Sequence, residues 1–456
     1  MRPNILYLSL DAFRHDRCFG KIKTSKTPGI DSLIKKGIWF NQAITCSDST
    51  PISFASTFTG VYPFESSITK GVSYEMNYNL KDYLTILREN GYHSYATIPN
   101  PYFISAFTKL FENQDMLYSI FEDRLYNGLG EKIIKKLASK SLVEPWIYFV
   151  HLMDTHKPIH YPVDFDGEEY GKDDYDRLIS SVDTWITKFL QSINLENTIV
   201  VLTSDHGDYL GIIERKGKRI SFEYKSLAKP FLNVSKTLHK LPRPIRIFRI
   251  KVALILKNIM TIIRLKKMGI KLSHYEKRAI MKTRSNQDRF LFDELFRVPL
   301  ILSGYKIPQN LIINQQVRNV DIFPTLLDLI GISSLNNSIH GTIMSPLLKG
   351  EKMEEEPAYM ESGVFLADKP YAAMGIRTPK YKYFRGVHSS NKIHLYDLTN
   401  DPLEQINIAR EKPDVVNQME KILMGIRKKT AIIQEEKLKE DEDKEVEEEL
   451  RKLGYI

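Results

Sequence analysis

A chain of 456 residues, 42% of them hydrophobic, is long enough for one large core plus a smaller domain and reads as a soluble globular protein. Only Cys18 and Cys46 are present, which excludes a disulfide framework and suggests a reducing compartment or indifference to redox. The net charge of +9 is unevenly spread: residues 212 to 290 hold 22 Lys and Arg against 4 acids, a local net of +18, so the remainder carries 43 against 52 and is acidic.

At the amino terminus the chain enters a strand directly after Met1-Arg2-Pro3, without a basic-then-apolar leader, so a cytoplasmic location is expected. No uninterrupted apolar run reaches the ~18 residues of a transmembrane helix. Asn4 to Leu10 is an apolar run that stops at Asp11 and is followed by Ala12-Phe13-Arg14-His15-Asp16. A helix is expected from about Pro51 to Thr59, with Thr50 suited to cap it. Asp82 to Asn90 has a helical pattern leading into a strand from Tyr92 to Ile98. Trp146 to Val150 is another strand, ending in His151-Leu152-Met153-Asp154-Thr155-His156. Arg177 to Ile193 reads as a helix before the strand Ile199 to Leu202, which breaks into Thr203-Ser204-Asp205-His206-Gly207-Asp208. Such alternation predicts an α/β fold, a mainly parallel sheet sandwiched by helices. Open α/β sheets bind ligands at the carboxyl ends of their strands, so two strands ending in Asp can bring two carboxylates and an imidazole to one edge, a cation site.

The segment 212–290 is a basic insert. Between Pro244 and Leu272, Ile245, Phe248, Val252, Ile255, Leu256, Ile259, Ile262 and Ile263 recur at helical spacing with Arg246, Arg249, Lys251, Lys257, Arg264, Lys266 and Lys267 interleaved. This pattern suits a lid helix packed on the catalytic domain, or peripheral contact with an anionic membrane through 244–272. The charge alone would also suit a nucleic-acid backbone, but nothing else in the chain does, and no nucleic acid is expected. Past the insert, Val298 to Ser303 reads as a buried strand and Asp321 to Ile330 as a helix. The core thus extends over 1–345. Short strands at Tyr359 to Val364, Ala372 to Arg377, Lys380 to Arg385 and Ile393 to Asp397, with a helix from Asp414 to Ile426, predict a small C-terminal antiparallel α+β domain over 346–430. The tail 431–456 is expected to be a charged, solvated helix.

Taken together these segments resemble the sulfatase family of the alkaline phosphatase superfamily. The resemblance rests on Thr27-Pro28-Gly29-Ile30-Asp31-Ser32-Leu33 with Gly37-Ile38-Trp39-Phe40, Ser56-Thr57-Phe58-Thr59-Gly60-Val61-Tyr62-Pro63, and Leu87-Arg88-Glu89-Asn90-Gly91-Tyr92. It continues through His151 to His156, Glu294-Leu295-Phe296-Arg297-Val298-Pro299-Leu300-Ile301, Val320 to Leu329, Arg377 to Tyr383, Leu395-Tyr396-Asp397-Leu398 with Asp401-Pro402, and Leu450 to Ile456.

The resemblance implies an alkaline phosphatase-like fold and places the nucleophile nine residues before Thr59-Gly60, at Thr50, with Ser49 and Ser53 as substitutes. The formylglycine motif is missing, because Cys46 is followed by Ser47-Asp48-Ser49-Thr50. A threonine ester must be cleaved by a second attack on sulfur or phosphorus, so a phosphate ester or diester is as good an expectation as a sulfate ester. The resemblance also implies metal ligands at Asp11, Thr50, Asp205 and His206. Ala12 replaces a common acid, and the carboxamides Gln287 and Asn319 lie near positions where two-metal relatives have histidines. One divalent metal is therefore expected, with Mn²⁺, Zn²⁺ or Fe²⁺ slightly favoured over Ca²⁺ or Mg²⁺ by the imidazole. His156 is the expected catalytic partner of Thr50, and Asp154 either orients it or caps a turn. His151 is assigned to the core, as a satisfied histidine. Arg14, Asn100 and Lys282 are candidate substrate contacts. The expected reaction is hydrolysis of a sulfate or phosphate ester through a covalent threonine intermediate. The alternatives are phosphoryl transfer or phosphodiester cleavage at a membrane surface, or a non-catalytic protein that binds anionic surfaces.

Overall fold

The computed structural model describes residues 2–70, 73–100, 106–120, 122–139, 141–215, 218–222, 259–281, 290–332, 340–363, 372–387 and 392–428. Lys282, Gln287, the tail 431–456 and the amino-terminal part of the expected 244–272 helix lie outside them. The chain divides into two compact units, Met1–Asp208 with Gln287–Ile456, and Tyr209–Asn286.

A nine-stranded sheet forms the first unit's core. Its strands are β1 (Asn4–Leu10), β2 (Gly37–Ile44), β3 (His93–Pro99), β4 (Leu117–Tyr118), β5 (Trp146–Leu152), β6 (Thr198–Thr203), β7 (Arg297–Val298), β8 (Leu300–Gly304) and β9 (Leu311–Arg318). They lie in the order β7-β2-β8-β6-β1-β5-β3-β4, with β9 also paired to β2. From β6 to β4 every pairing is parallel, whereas β8 runs antiparallel to both β6 and β2. β1, β5 and β6 are buried along their whole length, as their continuous apolar runs require of strands covered on both faces. The expected strand Val298 to Ser303 is divided at Pro299, which has no N–H to give to a ladder.

Helices cover the sheet. Helix α1 (Pro28–Lys35) packs on α4 (Asp174–Gln191), and buried Asp183 of α4 accepts the N–H groups of Gly29 and Ile30 at the start of α1 (2.9 and 2.7 Å). Helices α2 (Thr50–Thr59), α3 (Tyr83–Glu89) and α5 (Ile322–Leu329) share an aromatic core in which Phe54 and Phe58 pack against Phe149 of β5. Gly60 ends α2 in a left-handed turn (φ 72°), and a Cβ there would lie 2.2 Å from the Tyr83 hydroxyl. Only glycine meets both demands.

Four short antiparallel strands make the C-terminal sheet, β10 (Ala358–Glu361), β11 (Ala373–Arg377), β12 (Tyr381–Gly386) and β13 (His394–Asp397), in that order. A helix at 413–428 packs Met419 and Leu423 against Tyr359, Ile376, Tyr383 and Leu395. This sheet is tied to the main one by buried charge: Asp293 accepts from Arg377 (3.0 and 3.1 Å) and from the fully buried Lys382, which also meets Glu404 at 2.8 Å.

In the second unit, a hairpin of Ile212–Arg215 and Lys218–Ser221 and the helix His274–Met281 enclose a small cluster of Ile213, Phe222, Leu265 and Ile280. Residues 259–267 are helical. Among the described residues no helix is long and apolar enough to cross a membrane.

Candidate active site

β5, β1 and β6 are adjacent and parallel, with Leu10 level with Leu152 and Ser9 level with Thr203. Their carboxyl ends therefore open on one edge, where the segments that follow them meet. The Asp11 N–H donates to Leu152 O (2.9 Å), and its carbonyl accepts the Thr155 hydroxyl. Ala12 turns through a left-handed conformation (φ 55°), which disfavours a non-glycine residue by roughly 1–2 kcal/mol. Its N–H donates to Asp205 Oδ1 (3.3 Å), and that of Phe13 to Ser204 Oγ (2.9 Å), so the turn is held by the neighbouring strand's end. Asp205 is itself anchored, its carbonyl accepting from Thr45 Oγ1 (2.7 Å) and Ser53 Oγ (2.9 Å). At Gly207 a Cβ would lie 2.1 Å from Glu294 O, while the Gly207 N–H donates to Leu295 O (2.7 Å). The Asp205-His206-Gly207 and Glu294-Leu295-Phe296 motifs thus close on each other.

The cap of α2 is Ser49, with extended backbone (φ −130°, ψ 123°), and Thr50 is the first helical residue. The Thr50 hydroxyl is directed to Asp11 Oδ2 (3.2 Å) and His206 Nε2 (3.4 Å), so it does not serve as the cap. His206 Nδ1 lies 2.9 Å from Gly207 O, which assigns the ring proton to Nδ1 and the lone pair to Nε2, facing Thr50. His206 Nε2 is also 3.3 Å from Asp205 Oδ2. The structure therefore brings Asp11, Thr50, Asp205 and His206 together. Ser53 is engaged with Asp205, and Ser49 Oγ is buried without a hydrogen-bond partner.

Other expected residues fall differently. His151 is buried against Phe54, with Nδ1 3.3 Å from Ser9 Oγ and Nε2 3.5 Å from Asp11 Oδ2. His156 Nδ1 contacts Lys157 O (2.6 Å), and Asp154 accepts from Leu125 N–H (3.1 Å), so Asp154 secures the 125–129 segment and does not orient His156. Burial pushes the Asp154 carboxyl up to about 6, against the pull of that hydrogen bond and of Arg124. Arg14 forms a fork with the Asp16 carboxylate and donates to Asp208 O (3.0 Å). Asn100 is exposed just beyond β3, its N–H donating to Tyr118 O (2.9 Å). The Cys46 thiol is buried, pushed up to about 12 by burial, and accepts from Asn319 Nδ2 (3.6 Å). Asn319 also donates to Thr57 Oγ1 (3.0 Å), so this carboxamide ties α2 in place.

Asp11, His151 and Asp205 each offer one ligand atom, all within 4.8 Å of one another. Asp11 Oδ1, Asp205 Oδ2 and His151 Nε2 are buried and lack hydrogen-bond partners. Each such atom costs about 1–3 kcal/mol when unsatisfied. Burial would raise the Asp11 carboxyl, but the imidazoles of His156, His151 and His206 outweigh it and hold the group well below the usual carboxylate range. Two carboxylates and an imidazole converging in a buried site are a donor set that suits a divalent cation, and the residues fit one.

A family model described as Sulfatase matches residues 3–332. The chain belongs to the sulfatase family. A second model, N-sulphoglucosamine sulphohydrolase, C-terminal, matches 284–429 of this sulfatase-family chain. Arylsulfatase K of Gallus gallus is 33% identical over 146 residues, 30% of this chain and 26% of that protein, so the match covers about a quarter of the relative's length. Among solved structures, a 2-O GAG sulfatase superposes with a TM-score of 0.64 at 17% identity, covering 94% of this chain and 93% of the other. The phosphonate monoester hydrolase of Agrobacterium radiobacter gives 0.64 at 16% identity, covering 94% and 96%. At these identities the structural likeness speaks for the fold.

Proposed function

We propose that this sulfatase-family chain hydrolyses a sulfate or phosphate ester, with Thr50 as the nucleophile. The observation that carries the reading is the Thr50 hydroxyl itself, first in its helix, buried, and aimed at two proton acceptors, Asp11 Oδ2 and His206 Nε2. Thr50 Oγ1 bonds to sulfur or phosphorus as the bond to the ester oxygen breaks, and the hydroxyl proton passes to an acceptor beside it. His156 gives a proton to the departing alkoxide. Water then attacks the same sulfur or phosphorus and releases Thr50. A divalent cation held by Asp11, Asp205, His206 and Thr50 would lower the hydroxyl's pKa and offset charge on the ester. Cys46, buried and bonded to Asn319, is not placed for this role. Sulfated sugars are one substrate class, and phosphodiesters, or transfer to a second alcohol, are the other reading that a threonine ester allows.

The test is initial rates on matched aryl sulfate, phosphate monoester and phosphodiester substrates with Mn²⁺ added. One substrate should be turned over, with a loss of at least about 10³-fold in Thr50→Ala, the scale expected for removing a nucleophile. Equal, metal-insensitive background in both proteins would favour the non-catalytic, surface-binding alternative.

We further infer peripheral contact between the second unit and an anionic membrane. On its 259–267 helix Leu265 faces the unit's core, whereas Ile259, Ile262 and Ile263 are exposed beside exposed Lys266 and Lys267. Apolar side chains with adjacent cations suit an acidic headgroup interface. Sedimentation with phosphatidylserine vesicles should exceed that with phosphatidylcholine vesicles and fall with salt, and equal sedimentation would overturn the idea.

A further inference from the structure

We propose that His151 is itself a metal ligand, binding through Nε2. The inference rests on the metal reading above and extends its ligand set to a residue that sequence assigned to the core. His151 is fully buried near the end of β5, and among the described residues its Nε2 makes no short hydrogen bond, its nearest polar neighbour being Asp11 Oδ2 at 3.5 Å. Its other nitrogen, Nδ1, is 3.3 Å from Ser9 Oγ. With Nδ1–H given to Ser9, Nε2 presents a lone pair to a carboxylate oxygen in a dry interior, two acceptors facing each other. A divalent cation between them would satisfy both.

Two more observations point the same way. Among the described residues Asp11 Oδ1 and Asp205 Oδ2 are also buried without a hydrogen bond, and they lie in the same cluster as His151 Nε2. The His151 ring is also held in plane by Phe54, its edge-to-face neighbour (centroids 4.8 Å, 83°), and Phe54 rides on the helix that carries Thr50. A hydrogen bond from the far nitrogen and a packed ring are how proteins orient ligating histidines. Ala12, beside Asp11, offers no ligand atom, so His151 completes a donor set of two carboxylates, two imidazoles and a hydroxyl. Two imidazoles favour Mn²⁺, Fe²⁺, Co²⁺ or Zn²⁺ over Ca²⁺.

The whole protein, stripped by chelation and reloaded with Co²⁺, provides the test. A histidine bound through Nε2 keeps a solvent-exchangeable Nδ1–H close to the paramagnetic ion, so proton NMR should show two strongly shifted exchangeable signals, from His151 and His206. A single signal would overturn the proposal, as would calorimetric Mn²⁺ affinity unchanged in His151→Gln, where a loss of about tenfold or more is expected. Failure of wild-type protein to take up Co²⁺ at all would sink the metal reading with it, whereas uptake with one signal would sink His151 alone.

Discussion

Asp154 is a carboxylate that folding works against. Its pKa rises from 3.8 to about 6 because burial disfavours the charged form. Since the folded value is raised, the native state binds the proton more tightly than the unfolded chain. Its relative stability is greatest below pH 4 and falls as pH climbs through 6. Asn can accept the same Leu125 N–H without charge. Asp154→Asn should therefore be more stable than wild type at pH 8, by about 3 kcal/mol, and indistinguishable at pH 3.5, as read by urea unfolding at both pH values. Sequence alone offered two roles for Asp154, and neither involved residue 125, because a contact across 29 positions leaves no local pattern. His151 escaped for a related reason. A histidine inside an apolar run looks like packing, and the register that sets it level with Ser9 of β1 is not written in consecutive residues. Asp11, Asp205 and His206 were legible because each follows an abrupt end to a buried strand, a signal written in consecutive residues.

Elements carry the next layer. The Asp205-His206-Gly207 turn depends on backbone contact with Glu294 and Leu295, and any side chain at 207 would press into a carbonyl, not a flexible group. Gly207→Ala should shift the turn that carries Asp205 and His206, cutting kcat by about tenfold or more while the chain stays folded, as near-ultraviolet and far-ultraviolet dichroism would record. By contrast Gly60→Ala meets both a left-handed backbone and the Tyr83 hydroxyl, so its cost should appear in stability, on the order of 1–3 kcal/mol, measured by chemical denaturation. The strands bearing the site could be read from sequence because burial on both faces makes them continuously apolar. The antiparallel β8 could not be foreseen, since antiparallel and parallel buried strands look alike, and Pro299 hides a division within what reads as one run.

Across the whole molecule, the C-terminal sheet is joined to the catalytic sheet by charges taken out of water. Lys382 is fully buried between Asp293 and Glu404, and Arg377 shares Asp293. Removing Asp293 takes the carboxylate from Arg377 and leaves Lys382 with Glu404 alone, while Lys382→Met leaves buried Glu404 without its cation, so Asp293→Ala and Lys382→Met should each destabilise the protein by about 3–5 kcal/mol. Thermal unfolding of both variants checks this, and equal melting temperatures to wild type would remove the network from the account. That antiparallel sheet was visible in sequence as short strands between turns, yet its purpose was not. The Glu361 N–H donates to Cys46 O (2.9 Å), the Gly363 N–H donates to Asp48 Oδ1 (2.6 Å), and Gly363 leaves no room for a Cβ beside Ser49.

Those last contacts impose a timetable on synthesis. The loop leading to Thr50 emerges from the ribosome early, but two of the hydrogen bonds that hold it come from residues more than 300 positions later. β1, β5 and β6 are all in hand by residue 203, the supports of the Asp205-His206-Gly207 turn arrive at Glu294 and Leu295, and those of the 46–50 loop arrive last. A chain cut short before Glu361 would lack both hydrogen bonds, and the 46–50 loop would have to be held by its other contacts alone.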